Sequence, residues 1–99
     1  MTIVFGAGKE AETYIREFSG TDEIVCYDND RRKWGKTISG IPIITLENYL
    51  ETLRTSKCKI IDTIISNKTA VYFLKDTCGE MHEVYRLHNK ELEQLDLNC

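Results

Sequence analysis

Ile3-Val4-Phe5-Gly6-Ala7-Gly8-Lys9-Glu10-Ala11 stands near the head of the chain, and twenty positions beyond Gly8 a second apolar run, Ile24-Val25-Cys26-Tyr27, ends on Asp28. The two runs read as the parallel strands of a βαβ unit. Ile3 to Phe5 is a short continuous apolar segment of the kind a strand buried on both faces requires. Gly6 opens a tight turn, Gly8 permits close backbone approach to a ligand phosphate, and Ala11 takes the helix-packing position of the G-x-G-x-x-G/A pattern. The helix that follows offers free N–H groups and the positive end of its dipole to a pyrophosphate. Asp28 sits where a carboxylate accepts hydrogen bonds from ribose hydroxyls.

Outward from this unit the apolar period keeps switching between strand and helix. Ala7, Ala11, Tyr14, Ile15 and Phe18 share one helical face, which predicts a helix from about Lys9 to Phe18, stopped by Gly20. Asn29-Asp30 reads as a turn, and Arg31 to Gly40 as a loop or short hairpin. In Ile41-Pro42-Ile43-Ile44 the proline lacks a ladder donor, which places this segment at a sheet edge or at a strand start. Thr45 is the expected N-cap of a helix burying Leu46, Tyr49, Leu50 and Leu53. Lys59 to Ser66, with its two isoleucine pairs, is the expected central strand. Asn67 caps a third helix through Ala70, Phe73, Leu74 and Thr77, with Gly79 as its stop. Glu83 to Leu87 reads as a last short strand, and Leu92 and Leu95 share a helical stripe in the tail, which is read as a short docked helix or a frayed end.

Ninety-nine residues make one domain, 1–99, with 29% charged residues and a net charge of −3. That balance speaks against nucleic acid, whose binders carry a net basic field. The one basic cluster, Arg31-Arg32-Lys33 with Lys36, stands against Asp28 and Asp30. No apolar stretch reaches membrane-spanning length and no signal segment is read at Met1, so the expected location is cytoplasmic. Cys26, Cys58, Cys78 and Cys99 form no C-x-x-C pair and have no His at metal-ligand spacing; they are read as reduced thiols, and no metal is expected. His82 and His88 have no acid or nucleophile at informative spacing and are read as surface residues, so no catalytic residue is assigned.

Phe5-Gly6-Ala7-Gly8, Cys26-Tyr27-Asp28-Asn29-Asp30, Lys33-Trp34-Gly35-Lys36 and Ile38-Ser39-Gly40-Ile41-Pro42-Ile43, in this order, resemble the small Rossmann-like domains of bacterial polysaccharide-sugar biosynthesis. One such group is the N-terminal domain of sialic-acid and bacillosamine-type sugar acyltransferases. The other is the NAD(P)-binding domain attached to nucleotide-sugar dehydratases, glycosyltransferases and methyltransferases. The resemblance implies that Gly6, Ala7 and Gly8 form the phosphate-facing turn and that Asp28 and Asn29 face ribose or base. The ligand it implies is a nucleotide-sugar or NAD(P). Here Lys9 and Glu10 stand where the acyltransferase domains usually carry Gly-His or Gly-Gly, and the acyltransferase β-helix with its catalytic histidine has no counterpart in this sequence.

Each candidate residue has two readings. Asp28 and Asp30 read a ribose or simply form the turn after a strand. Trp34 stacks on a base or covers the sheet edge. Lys9 reaches a phosphate or solvates the first helical turn. Ser66 and Asn67 face a ligand from a strand's carboxyl end or cap a helix. The expected architecture is a three-layer Rossmann-like α/β fold, with four to five mainly parallel strands and helices on both faces. The expected site joins Gly6, Ala7, Gly8, Lys9, Asp28, Asn29, Asp30, Trp34, Ser66 and Asn67. Three roles follow. The first is a nucleotide-binding module without activity of its own, serving a partner catalytic domain. The second is part of an NAD(P)-dependent oxidoreductase or sugar acyltransferase. The third is a structural or homodimerisation platform built on an exposed edge at Ile41 to Ile44.

Overall fold

Alternation along the first strand divides the core in two, because successive side chains of a strand leave by opposite faces. A computed structural model describes residues 1–17, 20, 22–64, 73–77, 81–88 and 90–95. Among them, strands β1 (Thr2–Phe5), β2 (Ile24–Tyr27), β3 (Thr37–Ile38), β4 (Ile41–Ile44), β5 (Lys59–Asp62), β6 (Glu83–His88) and β7 (Glu91–Leu95) form one sheet. Helix α1 (Lys9–Glu17) and helix α2 (Leu46–Thr55) flank it, and residues 73–77 are also helical. Ile3 and Phe5 join Tyr27, Ile60 and Val84 on one face, under Tyr49 and Leu53 of α2 and under Leu74. Val4, Cys26, Ile61 and Leu87 meet Ala11, Tyr14 and Ile15 of α1 on the other. Three layers result. Full burial of each large apolar side chain contributes about 1.5–3 kcal/mol. On the first face the rings of Tyr27 and Tyr49 stack at 4.5 Å, and Phe73 lies 5.6 Å from Phe5 and 5.9 Å from Tyr27.

The strand order is β3-β4-β2-β1-β5-β6-β7. Five neighbours, β4-β2-β1-β5-β6, run parallel, as the sequence predicts. Two antiparallel edge strands, β3 and β7, extend that sheet. The tail is a strand where a docked helix or frayed end is expected. A spacing of three puts Leu92 and Leu95 on one stripe of a helix but on opposite faces of a strand. Opposite Leu87 and Val84, Leu92 packs on the second core face and Leu95 on the first. Covering both faces of the sheet outweighs a short isolated helix, which is marginal in water.

At the other edge β3 pairs along β4, so Ile41 to Ile44 is not the open edge foreseen for a dimerisation platform. Ser39 (φ 50°) and Gly40 (φ 81°) form the two-residue loop between these strands, and both lie in the left-handed region that such hairpin loops require. Pro42 precedes the residues of β4 that pair with β2, Ile43 and Ile44, so its missing donor interrupts nothing in that register.

The Thr45 hydroxyl accepts from the Asn48 N–H as the expected cap of α2. The buried face of that helix is narrower than its pattern suggests: Tyr49 and Leu53 are buried, whereas Leu50 is 42% exposed. Phe18, Ser66, Asn67, Ala70, Cys78, Gly79 and Cys99, each given a role above from sequence, lie outside the described residues. Among the described residues no helix is long and apolar enough to cross a membrane.

Candidate functional site

The glycine turn is built by contacts that treat its two glycines differently. At the end of β1 the Gly6 N–H donates to the Tyr27 carbonyl at 2.7 Å. Gly6 has φ +104°, and a Cβ there would stand 2.5 Å from Thr63 Oγ1 and 2.9 Å from Ile64 Cγ1. Both conditions demand glycine. Thr63 is held in that position because its N–H and its hydroxyl both donate to the Phe5 carbonyl, at 3.0 and 2.8 Å. Around Gly8, by contrast, no atom of the described residues beyond its own stretch of chain lies within 4 Å of a Cβ position. Gly6 is required by the fold, and Gly8 leaves space.

Asp28, just past β2, ties that turn to the loop that follows. Its Oδ2 accepts from the Ala7 N–H at 2.8 Å, its Oδ1 accepts from the Asp30 N–H at 2.8 Å, and its carbonyl accepts from the Trp34 indole N–H at 2.7 Å. Lys33 Nζ donates to the Ala7 carbonyl at 3.2 Å and reaches Asp28 Oδ2 at 3.4 Å. Lys33 is brought there by a single 3₁₀ turn, Arg31–Lys33, capped by the Asp30 carboxylate on the Arg32 N–H. The Arg32 guanidinium also binds Asp30 and holds its carboxyl below the usual carboxylate range.

Gly6, Ala7, Gly8, Lys9 and Asp28 line one cleft of about 450 Å³, which Glu10, Lys33, Thr63 and Ile64 complete. It opens between the carboxyl ends of β1 and β5. There the strand order reverses, since β1 leads outward to β2 on one side and pairs with β5 on the other. Open parallel sheets bind ligands at such a switch point. Among the described residues no side chain accepts from the N–H groups of Gly8, Lys9 or Glu10, so the start of α1 presents amides to the cleft. The lining carries two ammonium and two carboxylate groups, Lys9, Lys33, Glu10 and Asp28.

Three other expected residues lie outside that lining. Asn29 accepts from the Tyr27 hydroxyl at 2.8 Å, and Asp30 caps the 3₁₀ turn. The Trp34 ring packs against both core faces, 6.3 Å from Tyr27, as a cover for the sheet. Glu10, Lys33, Thr63 and Ile64 are the lining residues absent from the expected site. Lys33 carried a signal, its place next to Asp28 in the basic cluster. Thr63 and Ile64 carried none, because their role depends on β5 pairing with β1.

Three further groups off the cleft lining bond to the backbone. The Cys26 thiol donates to the Gly6 carbonyl at 3.1 Å, and burial pushes its pKa up to about 12. Asp62 is fully buried at the end of β5. Its Oδ1 accepts from the Ile64 N–H at 2.9 Å, its Oδ2 has no partner among the described residues, and burial raises its pKa. His82, read from sequence as a surface residue, is half-buried and accepts from the Cys58 N–H through Nδ1 at 3.0 Å. A larger hollow of about 870 Å³ beside α2, with Leu50 and Met81 on its wall, shares no lining residue with the cleft.

The sheet order and the crevice at its switch point define a Rossmann-like α/β domain. The chain is similar to the crystal structure of UDP-D-quinovosamine 4-dehydrogenase from Vibrio fischeri, with a TM-score of 0.78 at 15% identity, over 96% of this chain and 92% of the other. That likeness is one of fold. No protein-family model and no curated protein matches the sequence.

Proposed function

We propose that the chain binds a nucleotide, a nucleotide-sugar or NAD(P), in the cleft at its glycine turn, as a module serving nucleotide-sugar or surface-polysaccharide biosynthesis. The observation that carries this reading is the open space at Gly8 beside the uncapped start of α1, at the point where the strand order reverses. A phosphate there meets free backbone amides, the helix dipole and two nearby ammonium groups, Lys9 and Lys33. The shared fold with a protein named for its action on a UDP-sugar supports that ligand class.

The site so proposed comprises Gly6, Ala7, Gly8, Lys9 and Asp28, with Lys33 and Thr63 added. Calorimetric titration with UDP, UDP-N-acetylglucosamine, CMP, NAD and NADP tests it, on the native protein and on Gly8→Val. The valine fills the phosphate approach, and its Cβ has open space among the described residues, so binding is lost while the domain stays folded. Equal affinity in the two proteins sinks the assignment.

A second reading has one observation in its favour. The neighbour named as a dehydrogenase is covered over 92% of its own chain, so the two chains share nearly all of their architecture. On that reading a nucleotide-sugar alcohol passes a hydride to NAD(P)⁺, giving the ketone, NAD(P)H and a proton. Appearance of reduced nicotinamide on mixing UDP-sugar, cofactor and protein distinguishes this from binding alone.

A further inference from the structure

We infer that Lys33 is the side chain that grips the phosphate end of the ligand, and that Asp28 positions it instead of reading ribose hydroxyls; this rests on the nucleotide reading above. The carboxylate of Asp28 is already committed. Oδ1 holds the Asp30 N–H, Oδ2 holds the Ala7 N–H and faces Lys33, and the side chain is only 13% exposed. A diol arriving at the end of β2 therefore meets a carboxylate that already accepts from three donors, with about one of its roughly four lone-pair sites left.

Lys33 is the complementary case. An ammonium carries three donors. Among the described residues its partners are the Ala7 carbonyl at 3.2 Å and Asp28 Oδ2 at 3.4 Å, which leaves one donor, and its side chain is 38% exposed in the cleft wall. Both contacts are longer than the roughly 2.7–2.9 Å of strong charge-assisted bonds, so a phosphate oxygen competes for the ammonium on favourable terms. Lys33 is also preorganised. The 3₁₀ turn capped by Asp30 ends on it, and the Asp28 carboxylate holds its head group beside the glycine turn. Lys9 lies exposed on the cleft wall with no such tether among the described residues. The ligand class this geometry selects is a nucleoside diphosphate held by its diphosphate, with weak discrimination at the 2′ position.

The test is calorimetry with ADP, UDP and their 2′-deoxy counterparts on the native protein, Lys33→Gln, Lys33→Arg and Gly8→Val, at low and high salt. The native protein is expected to bind ribo and 2′-deoxy forms within about threefold, while Lys33→Gln weakens both by about tenfold or more and flattens the salt dependence. Lys33→Arg keeps most of the affinity because it keeps the charge. Unchanged affinity in Lys33→Gln, or 2′-deoxy forms more than about tenfold weaker on the native protein, overturns the assignment of Lys33 and Asp28 while leaving the nucleotide site standing. Failure of the underlying reading looks different: Gly8→Val binds like the native protein, or no nucleotide binds at all, and the role of Lys33 falls with it.

Discussion

The backbone N–H of Ala7 donates to Asp28 Oδ2 at 2.8 Å, across twenty-one positions of sequence. This one bond joins the loop after β1 to the loop after β2, and both of its residues line the cleft. Asp28→Asn offers an amide in place of a charged double acceptor. It is expected to cost about 1–3 kcal/mol, read as a lower urea midpoint at unchanged m-value.

The two glycines should respond in opposite ways to the same methyl group. Gly6→Ala meets Thr63 Oγ1 at 2.5 Å and keeps an L-residue at φ +104°. A loss of about 2–4 kcal/mol follows from the strained backbone and the displaced Thr63, a fall of roughly 4–8 °C in Tm for each kcal/mol. Gly8→Ala meets no atom of the described residues beyond its own stretch of chain within 4 Å and should melt with the native protein. Equal melting temperatures for both variants would remove the distinction between fold and ligand space.

The Cys26 thiol titrates near 12 in the folded chain against an ordinary 9.0, because burial disfavours the thiolate. Its folded pKa is raised, so its contribution is complete below the unfolded value and is lost as pH rises toward the folded one. Stability should hold to about pH 8.5 and then fall, at up to roughly 1.4 kcal/mol per pH unit for one thiol. Tyr14 and Tyr27, also raised by burial, act in the same direction above their ordinary 10.0. Urea melts from pH 7 to 10.5 check this, and Cys26→Ala should flatten the early part of the decline.

Asp62 is the reverse of a useful buried charge. Its pKa is raised by desolvation, Oδ2 has no partner among the described residues, and the charge of Arg86 only partly compensates. A raised carboxyl pKa means full stability below the unfolded value, near pH 4, and a loss as pH climbs through the folded one. Asp62→Asn keeps an acceptor for the Ile64 N–H without the charge. It should be about 1 kcal/mol more stable than the native protein at pH 7, with the difference vanishing near pH 4.

Ser39 holds φ 50° at the first position of the β3–β4 loop. Asparagine tolerates that conformation better than serine, and Asn-Gly is the preferred pair for such hairpins. Ser39→Asn should raise stability by about 0.5 kcal/mol, visible as a higher urea midpoint.

What the sequence by itself determined was everything carried by local pattern. The apolar runs of β1 and β2, the amphipathic face of α1 and the cap at Thr45 each express a period or a hydrogen-bonding preference contained in a few neighbouring residues. So does the association of Gly6, Ala7, Gly8 and Asp28. Tertiary structure decided what needed partners distant along the chain. Leu92 and Leu95 fit a helix by spacing and became a strand because β6 offered a free edge with an uncovered core face on each side. Leu50 belonged to the apolar stripe of α2 and stayed exposed because the sheet accommodates Tyr49 and Leu53. Thr63 and Ile64 entered the cleft wall only because β5 pairs with β1, a contact nearly sixty residues apart that no local period encodes. Local patterns select the elements; burial of both sheet faces and satisfaction of the edges select their places, and with them the shape of the cleft.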